Sequence, residues 1–151
     1  MLKRYITQLK NEHACSEPKT ESWLTIRDAL SGLPDPRYDH NITDHIFRDG
    51  ARAYIGHTGS IYDCPAKTIK AGVHGVPGGE NMIRFHDGSV RYFTILEAKR
   101  LQTFPDNFFI QGSWGEAMRQ IGNAVPVILA ESIGKKLCSL LQNKNDNVYL
   151  V

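Results

Sequence analysis

Between Asp39 and Gly79 the chain is dense in glycine, histidine, aspartate and proline and sustains only brief apolar runs, of which Ala53-Tyr-Ile55 is typical. Sequence of this texture forms short strands joined by long loops rather than extended helices. Loops of that length inside a compact domain are usually functional. The next segment is more definite. Met82-Ile-Arg-Phe85 and Val90-Arg-Tyr-Phe93 flank Asp87-Gly88, which predicts a β-hairpin whose turn uses the tolerance of glycine for positive φ.

From Thr94 onward the periodicity becomes helical. Thr94 and Glu97 form a capping box, and Ile95, Ala98 and Leu101 recur at helical spacing until Pro105 forbids another turn. A further box, Ser113-Trp-Gly-Glu116, opens a short helix that Gly122 can close. Leu129, Ile133, Leu137 and Leu140 then line one side of a helix from about Pro126 to Leu141, followed by a polar tail. Ahead of the β region, Thr25-Ile-Arg-Asp28 is also a capping box; it predicts a helix of two turns ended by Gly32, with Pro34 and Pro36 beyond it. No internal repeat is visible. The predicted fold is α+β, with an arm or linker over 1–24, a loop-rich small β domain over 25–93, a helical segment over 94–142 and a tail over 143–151.

Composition sets the class. With 151 residues, 41% hydrophobic and 9% aromatic, the chain can bury one core. A formal charge of +2 predicts no nucleic-acid partner, so any such affinity rests on local clusters of cations. Arg48, Arg52, Lys67, Lys70, Arg84 and Arg91, interleaved with His57 and His74, form such a cluster in the loop-rich region. The cysteines Cys15, Cys64 and Cys138 are too few and too scattered for a disulfide framework or zinc site, and read as structural or incidental. His57, His74 and His86 lack ligand spacing, and no metal is predicted. The glycine-rich run Gly72-Val-His-Gly75-Val-Pro-Gly78-Gly79 lacks the flanking strand, helix and lysine of a nucleotide loop, and reads as a turn-dense loop or a close approach of backbone to a ligand. With no signal-peptide run at the start and no stretch long enough to span a bilayer, the expectation is a cytoplasmic protein, nucleoid-associated in a bacterium.

Two stretches carry a specific resemblance. Thr94-Ile-Leu-Glu-Ala-Lys-Arg-Leu-Gln-Thr-Phe-Pro-Asp106, led in by Arg91 and Phe93 and followed by Phe108, and Gln120-Ile-Gly-Asn-Ala-Val-Pro126 resemble the last two signature motifs of the DNA (cytosine-5) methyltransferases. The departures are Leu96, where arginine is usual and a polar tie would be lost, and Val127, where a second proline is common. Asp63-Cys-Pro-Ala-Lys-Thr-Ile-Lys-Ala-Gly72 resembles the threonine-hydrophobe element of the family's target-recognition domains.

The resemblance implies a division of labour. In this family a cysteine thiolate from a Pro-Cys-Gln loop adds to carbon 6 of a flipped cytosine, and carbon 5 then takes a methyl group from S-adenosylmethionine. The Pro-Cys-Gln and Glu-Asn-Val segments are absent from this sequence, so no catalytic residue is predicted here. The family pattern implies that Asn123 and Ala124 close over the methionine end of S-adenosylmethionine, and that Thr68 contacts the DNA backbone near the flipped base. Lys67, Lys70, Arg52, His74 and Arg84 are the further candidate contacts to double-stranded DNA. Asn123 also reads as a helix N-cap, at a helix start whose free N–H groups suit a carboxylate. On this reading the chain is the target-recognition domain plus closing helices, packing on a missing Rossmann-like catalytic domain in a partner chain, as in the small subunit of a split bacterial enzyme. The alternative is a free-standing DNA-binding or regulatory remnant without methyltransferase activity.

Overall fold

The computed structural model describes residues 22–38, 40–71 and 81–146. Residues 1–21 of the predicted arm, with Cys15, the glycine-rich run 72–79 with His74, and the last five residues lie outside them. The fold is mixed α+β: a three-stranded sheet of β1 (Ser60–Ile61), β2 (Met82–Arg84) and β3 (Val90–Tyr92), with helices α1 (Ile26–Ala29), α2 (Ile95–Leu101), α3 (Trp114–Asn123) and α4 (Val127–Asp146).

The hairpin forms where Asp87-Gly88 predicts it. Strands β2 and β3 pair antiparallel with Met82 opposite Tyr92 and Arg84 opposite Val90. The Phe85 amide donates to the Ser89 carbonyl at 2.9 Å and the Gly88 amide to the Phe85 carbonyl at 3.0 Å. Gly88 supplies the positive φ of 83° that this turn requires. On the other edge of β2, β1 runs parallel, with Ser60 opposite Ile83.

Helix α1 is a single turn rather than two. Its capping box is complete, Thr25 and Asp28 each bonding the other's backbone N–H, but Gly32 at φ 78° turns the chain away immediately after it. The amides of Ile26 and Arg27 donate to the carbonyls of Cys64 and Tyr62 at 3.1 and 3.0 Å, which stitches this turn to the end of β1. Ile26, Leu30, Ile69, Ile83, Phe93, Ala98, Met118 and Ile121 meet in one buried core. Burial of these apolar side chains is the main term holding sheet and helices together.

Helix α2 is anchored by buried polar groups. Thr94 and Glu97 form the predicted box, and the Glu97 carboxylate also takes both terminal nitrogens of Arg91 at 2.7 Å. Both side chains are buried, 10% and 1% exposed, so Arg91 leaves the cationic surface cluster to which its sequence neighbourhood assigned it. Lys99 is buried on the same helix and spends its three N–H donors on the Asp44 carboxylate at 2.8 Å and on the carbonyls of Asp106 and Phe108 at 2.9 Å each. His45 is fully buried: Nε2 donates to the Pro34 carbonyl at 2.8 Å, and Nδ1 lies 2.9 Å from the Thr94 hydroxyl. Leu96, the departure from the family pattern, packs in the core at 2% exposure.

Three further expectations are corrected. Ser113 caps α3 through the Glu116 amide at 3.5 Å, but Glu116 turns to Arg119 at 2.8 Å and does not close the box. Gly122 does not terminate α3, which continues to Asn123 with no positive φ at Gly122. Helix α4 runs to Asp146, beyond Leu141, and its stripe is exposed, with Leu129 50%, Ile133 51%, Leu137 55% and Leu140 50% accessible.

Candidate functional site

Helix α2 ends in a turn that builds the site. The Thr103 amide donates to the Arg100 carbonyl and the Phe104 amide to the Lys99 carbonyl, both at 2.9 Å. This is a Schellman closure, in which a residue of left-handed conformation follows the helix. Here that residue is Thr103, at φ 59°, a backbone state that a β-branched side chain adopts only under strain.

The strained residue has a task. Its Oγ1 accepts the Ile128 amide at 3.0 Å, while the neighbouring Gln102 carbonyl accepts the Val127 amide at 3.2 Å. These two acceptors satisfy the first N–H groups of α4. Asn123 is therefore not the N-cap of α4; it is the last residue of α3. Two of the helix-start amides that could have met a carboxylate are occupied from within the chain. Gln102 Nε2 adds a bond to the Ile121 carbonyl at 3.3 Å, so the end of the first motif is tied at three points to the second motif and the start of α4.

Gly122 brings in the third element. A Cβ at this position would lie 2.9 Å from the Ala71 nitrogen and 3.0 Å from the Ile69 oxygen and the Lys70 carbonyl carbon, all backbone atoms. Only glycine lets α3 approach the 69–71 backbone this closely. The result is a cleft of about 310 Å³ between them, lined by Ala66, Lys67, Thr68 and Ile69 from the threonine element, Leu101 and Gln102 from the first motif, and Gly122, Ala124 and Pro126 from the second.

The predicted site residues divide accordingly. Thr68, Lys67 and Ala124 share the lining of this cleft. Asn123 is exposed beside it, and its side chain, like those of Thr68, Arg52 and Arg84, makes no hydrogen bond or ion pair among the described residues. Lys67 Nζ reaches the Thr58 hydroxyl at 3.3 Å. Lys70 is exposed on the segment that Gly122 approaches, Arg84 is half-buried on β2 and Arg52 exposed on the 46–57 loop. His74 lies outside the described residues. Arg48 stacks 4.5 Å above the Trp114 ring, at a separate cleft of about 340 Å³ lined by Asp44, Ile46, Phe47, Ile95 and Gly112. That cleft is marginally larger but holds none of the predicted site residues, and the motif-built cleft is the better candidate.

Other surface charges are paired locally. Arg27 and His86 both bond Asp63, and these partners hold its carboxyl down to about 2. Arg37 does the same for Asp35. Cys64 and Cys138 are exposed free cysteines rather than small buried hydrophobes. Among the described residues no group of three or more His, Cys, Asp or Glu side chains is arranged to hold a metal, and no helix is long and apolar enough to cross a membrane.

The cleft, lined by hydroxyl, amide and ammonium groups, is assembled from the threonine element and the two terminal motifs of a methyltransferase-related protein. The model of the C-5 cytosine-specific DNA methylases matches residues 4–139, and the chain belongs to that family. It is similar to the type II methyltransferase M.AplI of Arthrospira platensis, 36% identical over 106 residues, which cover 69% of this chain and 31% of the relative. The type II methyltransferase M.Sau96I of Staphylococcus aureus is 45% identical over 69 residues, 46% of this chain and 16% of the relative. DNA (cytosine-5)-methyltransferase 1B of Oryza sativa subsp. japonica is 44% identical over 61 residues, 40% of this chain and 4% of the relative. The chain thus spans less than a third of the length of these curated relatives. No solved structure matches it.

Proposed function

We propose that this chain is the DNA-recognition and cofactor-pocket-completing part of a DNA (cytosine-5) methyltransferase, inactive alone and working with a catalytic chain or domain that carries the Pro-Cys-Gln nucleophile. The observation that carries this reading is the convergence of the threonine element and both terminal motifs on one cleft, through Gly122 and the Gln102–Thr103 caps. Residues of the two predicted roles are then neighbours: Thr68 and Lys67 toward DNA, Asn123 and Ala124 toward the methyl donor.

The chemistry of each group suits its role. Thr68 has a hydroxyl that can donate to a phosphate oxygen, and Lys67, Lys70, Arg52 and Arg84 can neutralise phosphates or, for arginine, pair with guanine edges. The exposed Asn123 amide and the Ala124 backbone offer polar contacts at the rim, which fits one wall of a donor pocket whose remainder belongs to the partner. S-adenosylmethionine, when bound there, supplies the methyl group. The residues of this chain bind and orient; the thiolate comes from the partner.

Helix α4 supports the need for such a partner. Four leucine and isoleucine side chains at i, i+4, i+8 and i+11 stand half exposed, and an apolar stripe of this kind is stable when a second surface covers it. A Rossmann-like catalytic domain is the proposed cover. The test is methyl transfer from labelled S-adenosylmethionine to duplex DNA by this chain, by a catalytic chain carrying Pro-Cys-Gln and Glu-Asn-Val, and by both together. Transfer only by the mixture is expected, and turnover by this chain alone overturns the division of labour.

A further inference from the structure

Outside the motif-built cleft, one feature of the loop-rich region is too well ordered to be filler. Tyr54 and His57 exchange both backbone hydrogen bonds, at 3.1 and 2.8 Å, closing a two-residue turn at Ile55-Gly56. Gly56 takes the positive φ of 84° that the second central position needs. The Tyr54 and His57 rings stack across the base of the turn with centroids 4.5 Å apart. At the summit Ile55 is 101% exposed, with no described residue packed against it.

Single exposed apolar residues are common on protein surfaces, but among the described residues Ile55 is the most exposed large apolar side chain, and it stands on a turn closed on itself. Its surroundings are cationic. Arg52, two residues before the turn, has no ion pair among the described residues, and Thr58, just after it, bonds Lys67 Nζ at 3.3 Å. Through Lys67 the tip is tied to the lining of the cleft that holds Thr68. The partner of such a knob is therefore polyanionic, grooved and able to accept an apolar wedge. Duplex DNA has those properties: phosphates flank each groove, thymine methyls and base edges line the major groove, and base steps can admit an apolar side chain from the minor groove.

We propose that the Tyr54–His57 turn is a sequence-reading element of this chain, with Ile55 entering a groove of duplex DNA while Lys67 and Arg52 hold the flanking phosphates. This rests on the reading that the chain recognises DNA, and deepens it by assigning base discrimination to a residue outside the family motifs. Because the turn is closed by its own backbone bonds and ring stack, little ordering is needed on binding.

The experiment uses the chain together with the catalytic chain. The complex is passed over a randomised duplex pool, the retained DNA is sequenced, and the parent is compared with Ile55→Ala and Gly56→Ala. Ile55→Ala removes the wedge from a fully exposed position and leaves folding intact; Gly56→Ala keeps the wedge and distorts the turn. Both variants are expected to assemble normally and retain bulk duplex, yet to lose about ten-fold in enrichment of the parent's preferred sequence, the scale of one lost apolar base contact. Unchanged enrichment in both variants overturns the proposal. So does loss of assembly with the catalytic chain in Ile55→Ala, which would make the tip a protein contact. If the parent itself retains no duplex, the DNA-recognition reading fails, and that outcome is distinct from a parent that reads sequence equally well without Ile55.

Discussion

Replacing Gly122 by alanine forces a methyl group to within 2.9 Å of the Ala71 nitrogen and 3.0 Å of the Ile69 oxygen and Lys70 carbonyl carbon. Since these are backbone atoms, relief requires moving a helix or a chain segment instead of rotating a side chain. Overpacking of that kind costs about 1–3 kcal/mol. Against it stands the gain from removing a helical glycine, about 1 kcal/mol in a helix interior and less here, one residue from the end of α3. The packing term wins, leaving a net loss of about 1–2 kcal/mol, or roughly 2–8 °C in thermal midpoint for a chain this size. Gly134 provides the control, because a Cβ there meets nothing within 4 Å. Thermal or urea unfolding followed by circular dichroism should show Gly122→Ala destabilised and Gly134→Ala as stable as the parent or more so. In the complex with the catalytic chain, the displaced 69–71 segment should weaken duplex binding as well. A Gly122→Ala chain of parental stability, with unshifted amide resonances at residues 69–71, would refute the close-approach argument.

Removing one member of the buried Arg91–Glu97 pair, by Arg91→Met or Glu97→Gln, strands its partner and should cost about 3–5 kcal/mol in denaturant unfolding; the double substitution should cost clearly less than the sum, because the two changes share one interaction. Lys99→Met should be similarly damaging, since it strands the Asp44 carboxylate and two carbonyls, and a surface-like effect under 0.5 kcal/mol would contradict the assigned contacts. The Asp63 and Asp35 carboxyls are depressed to about 2 in the folded chain, so their contribution is present above the unfolded value near 3.9 and is lost as pH falls through about 2. Unfolding scans between about pH 4 and 2 should show the loss, and Asp63→Asn should flatten part of that slope. Asn123→Trp in the complex should weaken S-adenosylmethionine binding measured by calorimetry while leaving the stability of the chain unchanged; intact donor affinity would remove Asn123 from the pocket.

What was legible in the sequence was what is local. Both complete capping boxes, at Thr25 and Thr94, and the Asp87-Gly88 hairpin are set by residues three or fewer apart, and each formed where its pattern stands. The apolar period of α4 was equally plain, although it found no cover. The parallel pairing of β1 was invisible, because Ser60–Ile61 is two residues long and its register depends on β2 about twenty residues later. The burial of Arg91 is not legible among its cationic sequence neighbours, because it depends on a partner brought round by the turn from β3 into α2. The roles of Lys99 and His45 are illegible for the same reason, their partners lying far along the chain. At Gly122 the sequence points to a helix terminator, the commoner use of glycine at that spot; its closeness to the 69–71 backbone exists only in three dimensions. The motif resemblance supplied the site residues, and the structure supplied the reason three of them share a cleft.

The central claim is that sequence choice resides in this chain and the nucleophile in another. Sequencing of modified cytosines in one long DNA tests it most directly, after incubation with S-adenosylmethionine and the catalytic chain, with or without this chain. The account predicts methylated cytosines at one recurring short sequence only when this chain is present. The same sites modified in its absence, or by this chain without the catalytic one, would contradict it.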